Sequence, residues 1–153
     1  MTIKVTIDLN RKLSVAADID TVFLLLSDVP ASAEHFPKVQ AITAPPDNSF
    51  RWDMEKVGLG THSIQTIYAC VYVSDSNAKT IVWTPIKGEG NGIVSGKWEL
   101  TEVTTGTNIS FKTKAELTLP LPGLLKLAIS PLVKFEFSGM VDTYLRNLKR
   151  LWG

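Results

Sequence analysis

From Ile3 to Ala17 the odd positions are apolar (Ile3, Val5, Ile7, Leu9, Leu13, Val15, Ala17), and between them stand Lys4, Thr6, Asp8, Asn10, Lys12 and Ser14. A period of two is the pattern of a long strand with one dry face. Arg11 has the parity of the apolar set. Either a bulge or turn resets the strand there, or Arg11 lies at the surface, or it points inward as a cation in need of an anionic partner such as a ligand carboxylate.

Asp18 or Asp20 caps a helix starting near Ile19, with Val22, Phe23, Leu25 and Leu26 on its apolar side. Pro30 interrupts it, Ala31 to Phe36 reads as a second short helix, and Pro37 stops that one. Val39 to Ala44 reads as a short strand and Pro45-Pro46-Asp47-Asn48-Ser49 as a turn. Phe50, Trp52 and Met54 alternate with Arg51, Asp53 and Glu55 in a half-buried strand that ends at Gly58-Leu59-Gly60. One long strand is expected over Thr61 to Ser74, with its inward face open: Ile64, Tyr68, Cys70 and Tyr72 share one side, Ile67, Ala69, Val71 and Val73 the other.

After a turn at Asp75-Ser76-Asn77, Ile81 and Trp83 mark a strand over Thr80 to Thr84. The glycine-rich Gly88-Glu89-Gly90-Asn91-Gly92 is a turn, and Val94, Gly96, Trp98 and Leu100 then oppose Ser95, Lys97 and Glu99. Thr105-Gly106-Thr107-Asn108 closes a hairpin. The strand that follows has Ile109, Phe111, Thr113, Ala115, Leu117 and Leu119 on one face.

Pro120 and Pro122 end the strands, and the period changes. Gly123 to Ile129 reads as a short apolar helical segment, and Ser130-Pro131 as the cap and first residue of a new or kinked helix. Val133, Phe137, Met140, Val141, Tyr144, Leu148 and Leu151 form one stripe at helical spacing. Lys134, Glu136, Asp142, Arg146, Lys149 and Arg150 form the wet side. Pro131 to Trp152 would span roughly 33 Å at ~1.5 Å per residue.

The order of elements is strand, two short helices, six strands and a long helix. With "DIDTVFLLLSDVP" at Asp18–Pro30, "HFP" at His35–Pro37, "GKWELTEVTTGTNISF" at Gly96–Phe111 and "MVDTYLRNLKRL" near the end, it resembles the START/Bet v 1-like (SRPBCC) superfamily, in its polyketide cyclase/dehydrase-like branch. The resemblance covers nearly the whole chain. It implies an α+β helix-grip fold: a curved antiparallel sheet of about seven strands (β-α-α-β6-α) around a long C-terminal helix, with an internal apolar cavity. Members bind lipids, sterols, polyketides, quinones or plant hormones, and a minority are enzymes. Pro45-Pro46-Asp47 stands where the plant allergen branch has a glycine-rich loop, so a hormone-binding role is not carried over. No catalytic motif of the cyclases matches residue by residue.

Composition adds limits. The 153 residues suit one domain, residues 1–153, with a sizeable core. A net charge of +1 gives no bulk field that argues for nucleic acid or an anionic membrane. One cysteine, Cys70, excludes an internal disulfide and fits a reducing compartment. The first ten residues lack a signal-peptide pattern, and no apolar run approaches the ~20 residues of a membrane span. A soluble cytoplasmic protein is the expectation.

The expected ligand-binding residues are Trp52, Met54, His62, Tyr68, Trp83, Trp98, Phe111, Phe137, Met140 and Tyr144. Their aromatic bulk makes wide apolar walls with a few polar handles, and it equally suits an ordinary packed core. No catalytic residue is assigned, no metal site has ligand spacing and no cofactor is expected. Cys70 has no paired base, and the carboxylates Asp53, Glu55, Glu99 and Glu116 fall on polar faces. Three functions are open. The leading one is binding or carriage of a small hydrophobic ligand such as a lipid, quinone, isoprenoid or polyketide. A cyclase/dehydratase-type enzyme would need His62, Tyr68 or Tyr72 for proton transfer. An interaction module would have a filled core. The apolar connection from Leu119 to Leu125 is a candidate lid or transient membrane contact. Nucleic acid is not an expected partner, and the oligomeric state is left open.

Overall fold

The computed structural model describes residues 2–44, 48–59 and 61–153. A seven-stranded antiparallel sheet has the order β1-β9-β8-β7-β6-β3-β2. Its strands are β1 (Ile3–Val15), β2 (Val39–Thr43), β3 (Ser49–Met54), β6 (Ile67–Asp75), β7 (Thr80–Pro85), β8 (Gly92–Val103) and β9 (Gly106–Leu119). A separate hairpin pairs β4 (Val57–Leu59) with β5 (His62–Ile64). The helices are α1 (Ile19–Ser27), α2 (Val29–Ala33) and the 27-residue α3 (Lys126–Trp152), which follows a 3-10 turn at Gly123–Leu125.

The register follows the alternation. β1 pairs with β9 from Ile3↔Leu119 to Val15↔Thr107 without a bulge, so Ile3, Val5, Ile7 and Leu9 stay on the buried face with Leu117, Ala115 and Thr113. β8 and β9 close through a two-residue turn, Thr104-Thr105, one step ahead of the expected Thr105–Asn108 segment. Gly106 opens β9 at φ +145°, and a Cβ there would strike the backbone of Val15 and Ala16. Glycine is required at that crossing. α3 packs on the inner face through Ile129, Val133, Val141, Tyr144, Leu145, Leu148 and Trp152. Its end is fastened to the end of β1, with Ala16 N donating to Gly153 O at 3.0 Å and Ala17 N to Trp152 O at 3.1 Å.

Five expectations need correction. Pro30 does not interrupt a helix but starts one: it lies in the first turn of α2, where its missing N–H costs nothing, and Asp28 Oδ1 accepts from Ala31 N at 3.3 Å. That helix ends at Ala33, not at Phe36. Asp18 is the cap residue of α1, but its carboxylate accepts from the Thr21 hydroxyl and not from the backbone. The continuous strand over Thr61–Ser74 is broken at Gln65–Thr66. There Gln65 Nε2 donates to Met54 O at 3.0 Å, and Asn91 Nδ2 donates to Gln65 O at 2.9 Å. Asn91 Oδ1 also accepts from Ile67 N at 2.9 Å, so side-chain amides replace the ladder where the chain changes sheets.

The fifth concerns α3, which runs through Pro131 as one helix without a new cap at Ser130. The helix face is also shifted. Leu151 is exposed, while Leu145 and Trp152 are buried. The proposed turn at Pro45–Ser49 and the strand end at Gly60 fall partly outside the described residues.

Candidate ligand cavity

Strand parity and the cross-strand register gather the aromatic side chains at one level of the inner face. Tyr68 sits opposite Trp52, Tyr72 opposite Trp83, and Trp98 opposite Phe111. This settles the open face of β6: Tyr68, Cys70 and Tyr72 point inward, and Val73 is exposed. The rings then form a closed circuit. Tyr72 stacks on Trp83 at 5.9 Å, and Trp83 lies 6.3 Å from Trp98. Trp98 meets Tyr144 of α3 at 5.8 Å, Tyr144 meets Phe36 at 4.9 Å, and Phe36 meets Trp52 edge-on at 5.9 Å. Trp52 Nε1 closes the loop by donating to the Tyr72 hydroxyl at 3.0 Å.

The circuit surrounds a cavity of about 60 Å³, closed at one end by Leu26, Val29 and Ser32 of the two short helices. A second cavity of about 50 Å³ lies nearer the hairpin and the first half of α3, among Met54, Ile64, Val133 and Met140. Tyr68, Val94 and Phe137 line both, so these three side chains are the partition. Each space holds a few water molecules and not a drug-sized molecule.

The polar groups in the first cavity are hydroxyls and indole N–H groups. Tyr144 and Ser32 share a hydrogen bond although both are buried. Thr113 Oγ1 donates to Ser95 O at 2.9 Å. The Tyr68 hydroxyl has no hydrogen-bond partner among the described residues. Burial holds the Tyr68, Tyr72 and Tyr144 hydroxyls well above their ordinary 10.0, so all three are neutral at physiological pH. No charged side chain lines this cavity among the described residues.

Nine of the ten residues singled out in the sequence line one cavity or the other. Trp52, Trp83, Trp98, Phe111 and Tyr144 stand in the first, Met54 and Met140 in the second, and Tyr68 and Phe137 in both. His62 lines neither. The break at Gln65–Thr66 carries it away on β5, half-exposed, opposite Leu59. Sequence reasoning missed Ser32, Phe36 and Tyr72 as wall residues. The "HFP" segment was the signal for Phe36, and Tyr72 was left on an undecided face.

The remaining candidates resolve simply. Arg11 keeps inward parity opposite Phe111, and its anion is Asp142 of α3, with Nε–Oδ1 at 2.9 Å. The pair is a third or more exposed at each side chain and clamps the strand to the helix. Cys70 donates to Val94 O at 3.1 Å, and burial pushes its thiol up to about 12, which leaves it unreactive. His35 contributes its carbonyl oxygen to Asn147 Nδ2 at 2.8 Å.

Comparison with known proteins agrees with this geometry. The family described as polyketide cyclase/dehydrase and lipid transport matches residues 6–153. No sequence among curated proteins matches the chain. A START superfamily protein from Mycobacterium smegmatis superposes with a TM-score of 0.68 at 16% identity, covering 95% of this chain and 96% of that one. The Zhui aromatase/cyclase from Streptomyces sp. R1128 gives 0.61 at 14% identity, over 95% and 90% of the two chains. The di-domain ARO/CYC StfQ from the steffimycin biosynthetic pathway gives 0.62 at 18% identity over 95% of this chain, which spans 50% of that longer one. At these identities the structural likeness is one of fold.

Proposed function

The chain belongs to the polyketide cyclase/dehydrase and lipid transport family, and from that premise we propose that it binds and carries a small hydrophobic molecule in the space inside its aromatic circuit. The observation that carries this reading is the wall of the first cavity: aromatic rings and aliphatic side chains around it, hydroxyls and indole N–H groups as its polar groups, and no charged side chain among the described residues. Such a wall rewards apolar burial and leaves a few hydrogen bonds to orient the guest. A lipid, quinone, isoprenoid or polyketide fits that chemistry. Of the ten residues named from the sequence, we assign the seven that line this cavity, Trp52, Tyr68, Trp83, Trp98, Phe111, Phe137 and Tyr144, as binding residues, and Met54 and Met140 as walls of the adjoining one.

Entry requires movement, because the two cavities are small as they stand and Phe137 helps to separate them. The gate is the first half of α3 together with the Leu119–Leu125 connection, which we expect to touch a lipid surface transiently during loading. We assign the protein to the cytoplasm as a single domain. No helix among the described residues is long and apolar enough to cross a membrane.

A second reading has its own support. Tyr72 and Tyr144 face inward and are hydrogen-bonded to other cavity residues, Trp52 and Ser32. That is the arrangement a cyclase/dehydratase-type enzyme needs for proton transfer. Their raised pKa values weigh against it, since such hydroxyls release a proton poorly at neutral pH.

Native mass spectrometry of protein purified from its own source, with an organic extract run beside it, tests the carrier reading. A stoichiometric hydrophobic adduct is the expected result. A clean mass, together with failure of apolar probes to bind, would replace carriage with the filled-core module. Turnover of a bound polyketide chain, lost in Tyr72→Phe, would establish the enzyme instead.

A further inference from the structure

One face of α3 changes character half way along. In its second half the outward positions are Asp142, Arg146 and Lys149, as expected of a solvated helix. In the first half and the 3-10 turn before it, the outward positions are Leu124, Leu127 and Phe135, which are 95%, 91% and 77% exposed, with Leu132 partly exposed beside them. Leu124, Ala128, Pro131 and Phe135 recur at intervals of four, three and four, so they line up as a stripe. Large apolar side chains grouped in this way mark a contact surface.

Charge selects the partner. Between Glu116 and Glu136 the chain has no carboxylate, and it has two cations, Lys126 and Lys134. Neither lysine has an ion-pair partner among the described residues, whereas Glu136 is engaged by Lys38. A second copy of the chain packed on the same face by a two-fold axis would bring lysine toward lysine with no carboxylate in the segment to offset it. An apolar stripe beside unpaired cations matches an anionic bilayer, which takes leucine and phenylalanine into its acyl boundary and lysine at its headgroups.

We propose that the face Leu124–Phe135 of α3 and its leading turn docks reversibly on membranes containing anionic phospholipid. This extends contact at the Leu119–Leu125 connection, where Leu119 is buried, Leu121 and Leu125 are half-buried and Leu124 is exposed, along the outward side of the first half of α3. The inner side of the same helix segment lines the second cavity through Val133, Phe137 and Met140. Docking therefore bears on one wall of that second cavity. The docking itself is read without any ligand, so it stands or falls apart from the carrier function.

Flotation with vesicles of phosphatidylcholine, with and without phosphatidylserine, at low and high salt, is the test. The wild-type chain is expected to float with the anionic vesicles at low salt and to be released by high salt. Leu127→Ser/Phe135→Ser and Lys126→Glu/Lys134→Glu should each lower partitioning about tenfold or more, with thermal midpoints unchanged because the side chains are exposed. Failure of the wild-type chain to bind anionic vesicles would overturn the proposal, as would undiminished binding by the Leu127/Phe135 variant. A wild-type dimer that the same variant dissociates would assign the face to self-association instead.

Discussion

The indole of Trp83 fills the space that Gly96 leaves open directly across the β7–β8 pair. A Cβ at Gly96 would lie closer to the Trp83 ring than real Cβ atoms approach, and 2.6 Å from Lys112 O. The glycine therefore determines where one ring of the aromatic circuit rests, and with it the shape of the first cavity. Gly96→Ala is expected to cost about 1–3 kcal/mol through overpacking. Adding Trp83→Leu should recover only part of that, since the contact with the Lys112 backbone remains. Thermal denaturation of the two single variants and the double variant checks this. Full recovery would mean that the ring alone sets the constraint.

Tyr68 and Tyr144 separate binding from folding. Tyr144→Phe leaves the buried Ser32 hydroxyl without its partner and should destabilise the protein by about 1–3 kcal/mol. Tyr68→Phe removes a buried hydroxyl that no described residue uses, so stability should stay level or rise. Affinity for the co-purifying ligand should nevertheless fall by a factor of a few to about tenfold. Paired denaturation and ligand titrations read both effects. A stability loss in Tyr68→Phe that accounts for the whole change in affinity would remove Tyr68 as a polar handle.

Phe137 stands between the two cavities, so its truncation should join them. Phe137→Ala is expected to cost about 1–3 kcal/mol, below a fully buried phenylalanine, because the ring is only half-buried. The variant should bind longer alkyl chains more tightly than the wild type does, with little change for short ones. A fatty-acid length series measured by calorimetry decides. An unaltered length preference would show that the gate lies elsewhere.

Alkali should unfold the protein through its buried acids. Burial raises the Cys70 thiol from 9.0 to about 12, and the Tyr68 and Tyr72 hydroxyls well above 10.0. Below pH 9 these groups are protonated in the folded and unfolded chains alike, and their contribution is complete. Above it the unfolded chain ionises first, so stability falls as pH rises through the interval up to the folded values. Urea midpoints should be level near neutrality and drop from about pH 9 upward. Cys70→Ala should remove the earliest part of that drop, and Tyr68→Phe a later part.

Alternation made the β1, β8 and β9 faces legible in the sequence, because each has one dry side and an unbroken register. The wall residues on those strands, Trp98 and Phe111, followed directly. Residues 61–74 were not legible in the same way. Tyr68, Cys70 and Tyr72 alternate there with Ile67, Ala69, Val71 and Val73, so both parities are apolar, and the chain also leaves the hairpin for the main sheet between Ile64 and Ile67. The side-chain amides of Gln65 and Asn91 make that break, and a polar side chain bonded to distant backbone leaves no periodic trace. His62 was misplaced for this reason. Ser130-Pro131 misled for another reason: the pair has the pattern of a cap and first helical residue, but no new helix starts there, because Ile129 and Val133 are buried on either side of Pro131 within one helix.

The pairing of β1 with β9 also sets an order of events. The first strand waits for the last: until residue 119 has been made, thirteen alternating residues lack the one sheet neighbour they have among the described residues, and the greasy side of the unfinished sheet lies open until α3 covers it. Folding should therefore be late and cooperative, with a rate set by closing the long loop between β1 and β9. A ribosome-bound fragment lacking α3 should present its aromatic level to chaperones, and the same surface becomes a binding site for small molecules only once the final helix has closed over it.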